Sequence, residues 1–163
     1  MKKNSGMVVT ISTIFIAIAI VIFILVITIF VSHVNSVLYN FKLEMYSLNR
    51  SAIIAVNKNK ANIDNFSYDV QTYKNEFIKL LKSNYDLDDE LKNENKLISK
   101  IEIIEYKILE ARSKDTFTNK NLQVRTIHTV LKVKIRPIIL KSILEEIFVF
   151  TVHEDVALNM LET

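Results

Sequence analysis

The stretch MVVTISTIFIAIAIVIFILVITIFV, Met7–Val31, decides how this chain is organised. It carries no charged residue. An apolar run of this length spans a hydrocarbon core of about 30 Å with some tilt. Its polar side chains are Thr10, Ser12, Thr13 and Thr28, whose hydroxyls can bond back to helix carbonyls and so cost little in lipid. A cleavable secretory signal would have an apolar region of only roughly 7–15 residues and a small-residue cleavage site. The run here is longer, and VSHVNSVLY after it offers no such site. The segment therefore reads as an uncut anchor. Lys2 and Lys3 precede it, and the first cations beyond it are Lys42 and Arg50. That asymmetry predicts a cytoplasmic N-terminus and an extracytoplasmic C-terminal part. Three regions follow: a basic leader (1–6), a transmembrane helix (7–31) and an extracytoplasmic domain (32–163).

Beyond the span, Val34, Leu38, Phe41, Met45, Leu48, Ala52 and Ala55 recur at steps of four and three. Such steps place them on one face of a continuing helix. No Gly or Pro interrupts it before Val56, and NKNKANIDN then breaks the pattern. A second helix is expected with Ser67 as N-cap and Asp69 early in its first turn. Val70, Tyr73, Phe77, Leu80 and Leu81 form its apolar stripe, and Asn84 its exit. The acidic stretch Asp86, Asp88, Asp89, Glu90 lacks the glycine of an EF-hand loop and reads as a solvated turn.

The last third changes period. Lys100–Ala111 mixes β-branched residues and charges as a strand does, and SKDTFTNKN is a turn-rich break. In Leu122–Ile135 the residues Ile127, Thr129, Leu131, Val133 and Ile135 alternate with Thr126, His128, Val130, Lys132 and Lys134. This predicts an antiparallel strand with one buried face. Pro137 ends it, IILKSILEE suits a short helical turn, and IFVFTVHEDVALNM suits a third strand with Phe148, Phe150 and Val152 on one face. The expected architecture is α+β: a long N-terminal transmembrane helix continuing as an amphipathic one, a second helix, and a three-stranded antiparallel meander.

Several chemistries have no residues to carry them. The chain has no cysteine, which excludes disulfides, thiolate nucleophiles and cysteine-ligated zinc. Its one glycine, Gly6, leaves nothing for a glycine-rich phosphate cradle. The net charge is +3, of which Lys2 and Lys3 supply two. The near-neutral remainder gives no electrostatic reason to expect nucleic acid. No nucleophile elbow or paired catalytic carboxylates can be nominated, so no catalytic residue and no cofactor is expected. The histidines are His33, His128 and His153. His128 and His153 fall on neighbouring expected strands, with Glu154 and Asp155 directly after His153. No HxxxH or HxH spacing occurs, and consecutive strand residues point to opposite faces. The expectation is no metal site.

The basic leader ending in Gly6, the apolar helix from Met7, its amphipathic continuation and the β-meander together resemble a type IV pilin or pseudopilin. More specifically, the chain resembles the TadE-like pilus assembly proteins. SLNRSAIIAV (Ser47–Val56) is similar to their arginine- and alanine-containing segment, and KVKIRPIILKSILEEIFVFTVHEDVALNM to the ends of small proteins encoded with such systems. The resemblance implies a structural or assembly subunit of a surface pilus or secretion apparatus, not an enzyme. It implies as partners the membrane, other subunits of the apparatus and, as a further option, copies of itself. It also implies a processing site between Gly6 and Met7. If cleavage follows Gly6, the fifth mature residue is Ile11, where major pilins carry a glutamate. That departure points to a minor subunit or an uncut assembly factor. Thr10, Thr13 and Ala17 lie along one face of the span, and as the smallest side chains on that face would admit close helix packing. The alternative reading is a single-pass, membrane-anchored extracytoplasmic module for binding or sensing.

Overall fold

The computed structural model describes residues 4–60, 69–136 and 148–158. They form two helices and three strands: α1 (Asn4–Lys60), α2 (Val70–Tyr85), β1 (Ile98–Leu109), β2 (Thr126–Ile135) and β3 (Val149–Ala157). The chain divides into two units, Met1–Asn40 and Phe41–Thr163.

The first unit is helical. Among the described residues, α1 is the one helix long and apolar enough to cross a membrane. Its apolar side chains from Val9 to Ile29 stand exposed, as they would where lipid or another helix is the solvent. Thr13 donates to the Val9 carbonyl at 2.9 Å and Thr28 to the Ile24 carbonyl at 2.8 Å. These are the back-bonds that let hydroxyls reside in lipid.

The second unit places helices against one face of the sheet. Phe41, Met45, Ala52, Ile53 and Val56 of α1 are buried, as are Tyr73, Phe77 and Leu81 of α2. Burying a side chain of this size stabilises a fold by about 1.5–3 kcal/mol. Ile53, Val56 and Tyr73 meet Ile127 of β2 and Val156 of β3 in one cluster. The Phe77 ring packs on Tyr106 of β1 at 5.4 Å. Thr129 reaches from β2 to Asn49 of α1, hydroxyl to amide oxygen, at 3.4 Å.

The expected N-cap, Ser67, lies outside the described residues. The cap is Asp69, whose carboxylate accepts from the Gln71 backbone N–H at 3.0 Å. The helix ends one residue beyond Asn84, with Asp86 in the left-handed region at φ 53°. Asp88 then turns the chain, accepting from the N–H groups of Glu90 and Lys92. The proposed turn IILKSILEE also lies outside the described residues.

The strands run in the order β1-β2-β3, each pair antiparallel. The alternation read along β2 holds, with one correction. Thr126, His128 and Val130 are buried along with their opposite-face neighbours, so the strand is covered on both faces at this end. The covering comes in part from the connection between β1 and β2. A bulge in β1 matters as well. Ile103 pairs with Leu131 and Glu105 with Val130, leaving Ile104 as the extra residue, 55% exposed. Before it, Ile101 and Ile103 face the core; after it, Tyr106 and Ile108 do. The bulge thereby turns Glu105 and Lys107 to the face that carries His128.

A candidate metal centre on the sheet

β2 and β3 pair in a register that sets His128 directly opposite Asp155 and Val130 opposite His153. His153 and Asp155 are two residues apart, so both point to the face of His128. The alternation argument against a metal site separates Glu154 from its neighbours, and only Glu154. That residue faces the helices, 4.0 Å from Lys42. Its burial pushes its carboxyl above the usual range, Lys42 opposing and Asp155 adding to the shift.

The fourth member, Asp115, comes from the β1–β2 connection. Lys114 and Asn121 pair there as a short antiparallel bridge. Arg125 meets Glu110 at 2.7 Å where the connection leaves and rejoins the sheet. At the tip, Asp115 accepts from the Phe117 N–H at 2.8 Å, from the Thr118 N–H at 2.9 Å and from the Thr118 hydroxyl. The tip screens Asp115 wholly from solvent. Desolvation pushes its carboxyl up, but the hydrogen bonds from Thr118 and Phe117 and the neighbouring His153 outweigh it and hold it down, at about 2. Asp115 is thus held as a carboxylate above its two histidine neighbours. The Phe117 ring stacks on His153 at 4.6 Å, with the planes 15° apart.

One donor atom from each of Asp115, His128, His153 and Asp155 can be chosen so that all four lie within 4.8 Å of one another. Nδ1 of His128 is 2.9 Å from Oδ1 of Asp155, 3.2 Å from Nε2 of His153 and 3.5 Å from Oδ1 of Asp115. Nε2 of His153 is 3.3 Å from Oδ1 of Asp155 and 3.7 Å from Oδ2 of Asp115. On the far side of the His128 ring, Nε2 faces Oε2 of Glu105 at 3.4 Å. A groove of about 440 Å³ borders the cluster, its lining including His153, Asp155, Lys42, Tyr46 and Lys120.

Comparison with protein-family models, curated proteins and solved structures finds no match for this chain.

The other residues singled out from the sequence lie elsewhere. Gly6 and Met7 fall in the first turns of α1. Thr10, Thr13 and Ala17 are exposed along the same helix, and His33 stands exposed further on. Sequence reasoning found His128 and His153 but set their pairing aside, and it missed Asp115 and Glu105. The available signal was His-x-Asp in a strand beside a second strand histidine. Nothing local marks Asp115 except a turn that begins with an aspartate.

Proposed function

We propose that this chain is a pilin-like or TadE-like structural subunit of a bacterial surface pilus or secretion apparatus. It crosses the membrane once, with residues 1–6 in the cytoplasm and residues 32–163 outside. It works by helix packing and subunit contact rather than by catalysis. The observation that carries this reading is the continuity of α1. The same unbroken helix that is bare and apolar from Val9 to Ile29 supplies Phe41, Met45, Ala52 and Ile53 to the core of the second unit. A helix used only as a tether has no need to enter the fold it tethers. The bare half must be covered by lipid or by other helices, and close helix packing needs small side chains at the contact. Thr10, Thr13 and Ala17 provide them.

The absence of cysteine makes the test direct. Ala17→Cys should give a crosslinked species in native membranes with a partner subunit or a second copy. Ile22→Cys, on another face, should crosslink far less. Equal or absent crosslinking at both positions would reduce the helix to an anchor. A second reading, an anchored extracytoplasmic binding module, would then take its place. The groove of about 440 Å³ lined in part by Lys42, Tyr46 and Lys120 favours that alternative.

A further inference from the structure

We propose that Asp115, His128, His153 and Asp155 bind one divalent transition-metal ion of the zinc type in tetrahedral geometry, fastening the β1–β2 connection to the sheet. The inference is independent of either reading of function.

Spacing is the first argument. Bonds of about 2.0–2.2 Å arranged tetrahedrally place neighbouring donor atoms about 3.3–3.6 Å apart. Nδ1 of His128, Nε2 of His153 and Oδ1 of Asp155 lie 2.9, 3.2 and 3.3 Å from one another, Oδ1 of Asp115 lies 3.5 Å from Nδ1 of His128, and one donor atom from each of the four residues can be chosen within 4.8 Å of the rest. These four separations lie about the tetrahedral value, and an ion would draw Asp115 in against the remaining donors.

The second argument is what the donor atoms would do without a cation. A ring nitrogen holds either one proton or one lone pair. Nδ1 of His128 faces three acceptor-capable atoms at 2.9–3.5 Å and can donate to one at most. Glu105 sharpens this. Nε2 of His128 and Oε2 of Glu105 are buried 3.4 Å apart; with the ring proton on Nε2, Nδ1 is a bare lone pair beside two carboxylates and a second imidazole. A carboxylate behind a histidine is the arrangement that orients and strengthens metal-bound imidazoles. The β1 bulge supplies that carboxylate.

Charge and valence agree. Two carboxylates and two neutral imidazoles carry a charge of −2, which one divalent ion cancels. Burying such charges unpaired is costly. Asp115 has about four lone-pair directions and spends three on Phe117 and Thr118, so one remains for an ion. Imidazoles select against calcium and magnesium, which take oxygen donors. Four protein ligands leave no open position, so the site is structural in kind.

The test uses the untagged full-length chain in detergent micelles, stripped with a chelator and titrated with zinc(II), and separately with cobalt(II). One equivalent should bind, cobalt should give the intense visible absorption of four-coordinate geometry, and zinc should displace it. His153→Gln and Asp155→Asn alter half-buried positions. Each should weaken binding by more than the roughly 10–100-fold expected for Glu105→Gln, which removes only a supporting carboxylate. The far-ultraviolet spectra should match wild type, and His33→Gln should bind normally. No uptake of zinc would overturn the proposal in favour of a metal-free network of histidines and aspartates. Unchanged affinity in both ligand variants would overturn it too, and a weak six-coordinate cobalt spectrum would overturn the tetrahedral assignment.

Discussion

The Tyr73 hydroxyl of α2 donates a 2.7 Å hydrogen bond to the side-chain oxygen of Asn57 on α1, joining the helices above the cluster of Ile53, Val56 and Ile127. Tyr73 is fully buried, so the bond cannot be exchanged freely for one to water. Tyr73→Phe keeps the ring and strands the Asn57 oxygen. It should lower stability by about 1 kcal/mol. Thermal unfolding of the full chain in micelles, followed by the circular dichroism of the sheet, measures this.

Tyr106 should behave in the opposite way. Its hydroxyl is buried with no hydrogen-bond partner among the described residues. Tyr106→Phe removes an unsatisfied group while keeping the contact with Phe77, and should leave stability unchanged or raise it by up to about 1 kcal/mol. Burial, with the Tyr73 phenol adding, pushes the Tyr106 phenol above its ordinary value. A raised folded-state pKa gives stability that is complete below the unfolded value, about 10, and is lost as pH rises beyond it. The wild-type melting temperature should therefore fall above about pH 10, and that of Tyr106→Phe should fall less. Tyr85, pushed up first by burial and then by Glu44, retains part of the alkaline dependence in both proteins.

Arg112 occupies the left-handed region at φ 68° on an exposed turn. A Cβ costs about 1 kcal/mol there. Arg112→Gly should stabilise the fold by about 0.5–1 kcal/mol, and Arg112→Val should destabilise it. Melting temperatures of the two variants, moving in opposite directions, check the assignment.

Ala17→Phe should abolish assembly or partner crosslinking while the protein still inserts into the membrane. Ile22→Phe should be mild. Fractionation of membranes separates insertion from assembly, and wild-type behaviour from both variants would mean that the span merely faces lipid.

What was legible in the sequence was whatever repeats locally. The four-and-three steps from Phe41 to Ala52 placed the buried face of α1, and the alternation from Ile127 to Ile135 placed the core face of β2. The candidate centre is written in none of these periods. It needs the β2–β3 register to set His128 against Asp155, and a turn to carry Asp115 back over the sheet. Each depends on pairing between distant segments, and a one-residue slip in pairing sends every side chain to the other face. The cover over His128 was hidden for the same reason. One-sided burial was expected because the lysines at 132 and 134 share that face, yet the covered end begins two residues earlier.

Ile104 gives β1 a reading frame of its own. Core-facing residues fall at 101 and 103, then at 106 and 108, a step of three set among steps of two. Deleting Ile104 would merge the two frames and leave Glu105 still turned towards His128. Inserting one residue after Glu105 would act as a frameshift in side-chain space, sending Tyr106 outward and Lys107 into the apolar interior. A second shift lies between Ile98 and Lys100, so the strand carries a spare residue at each of two positions.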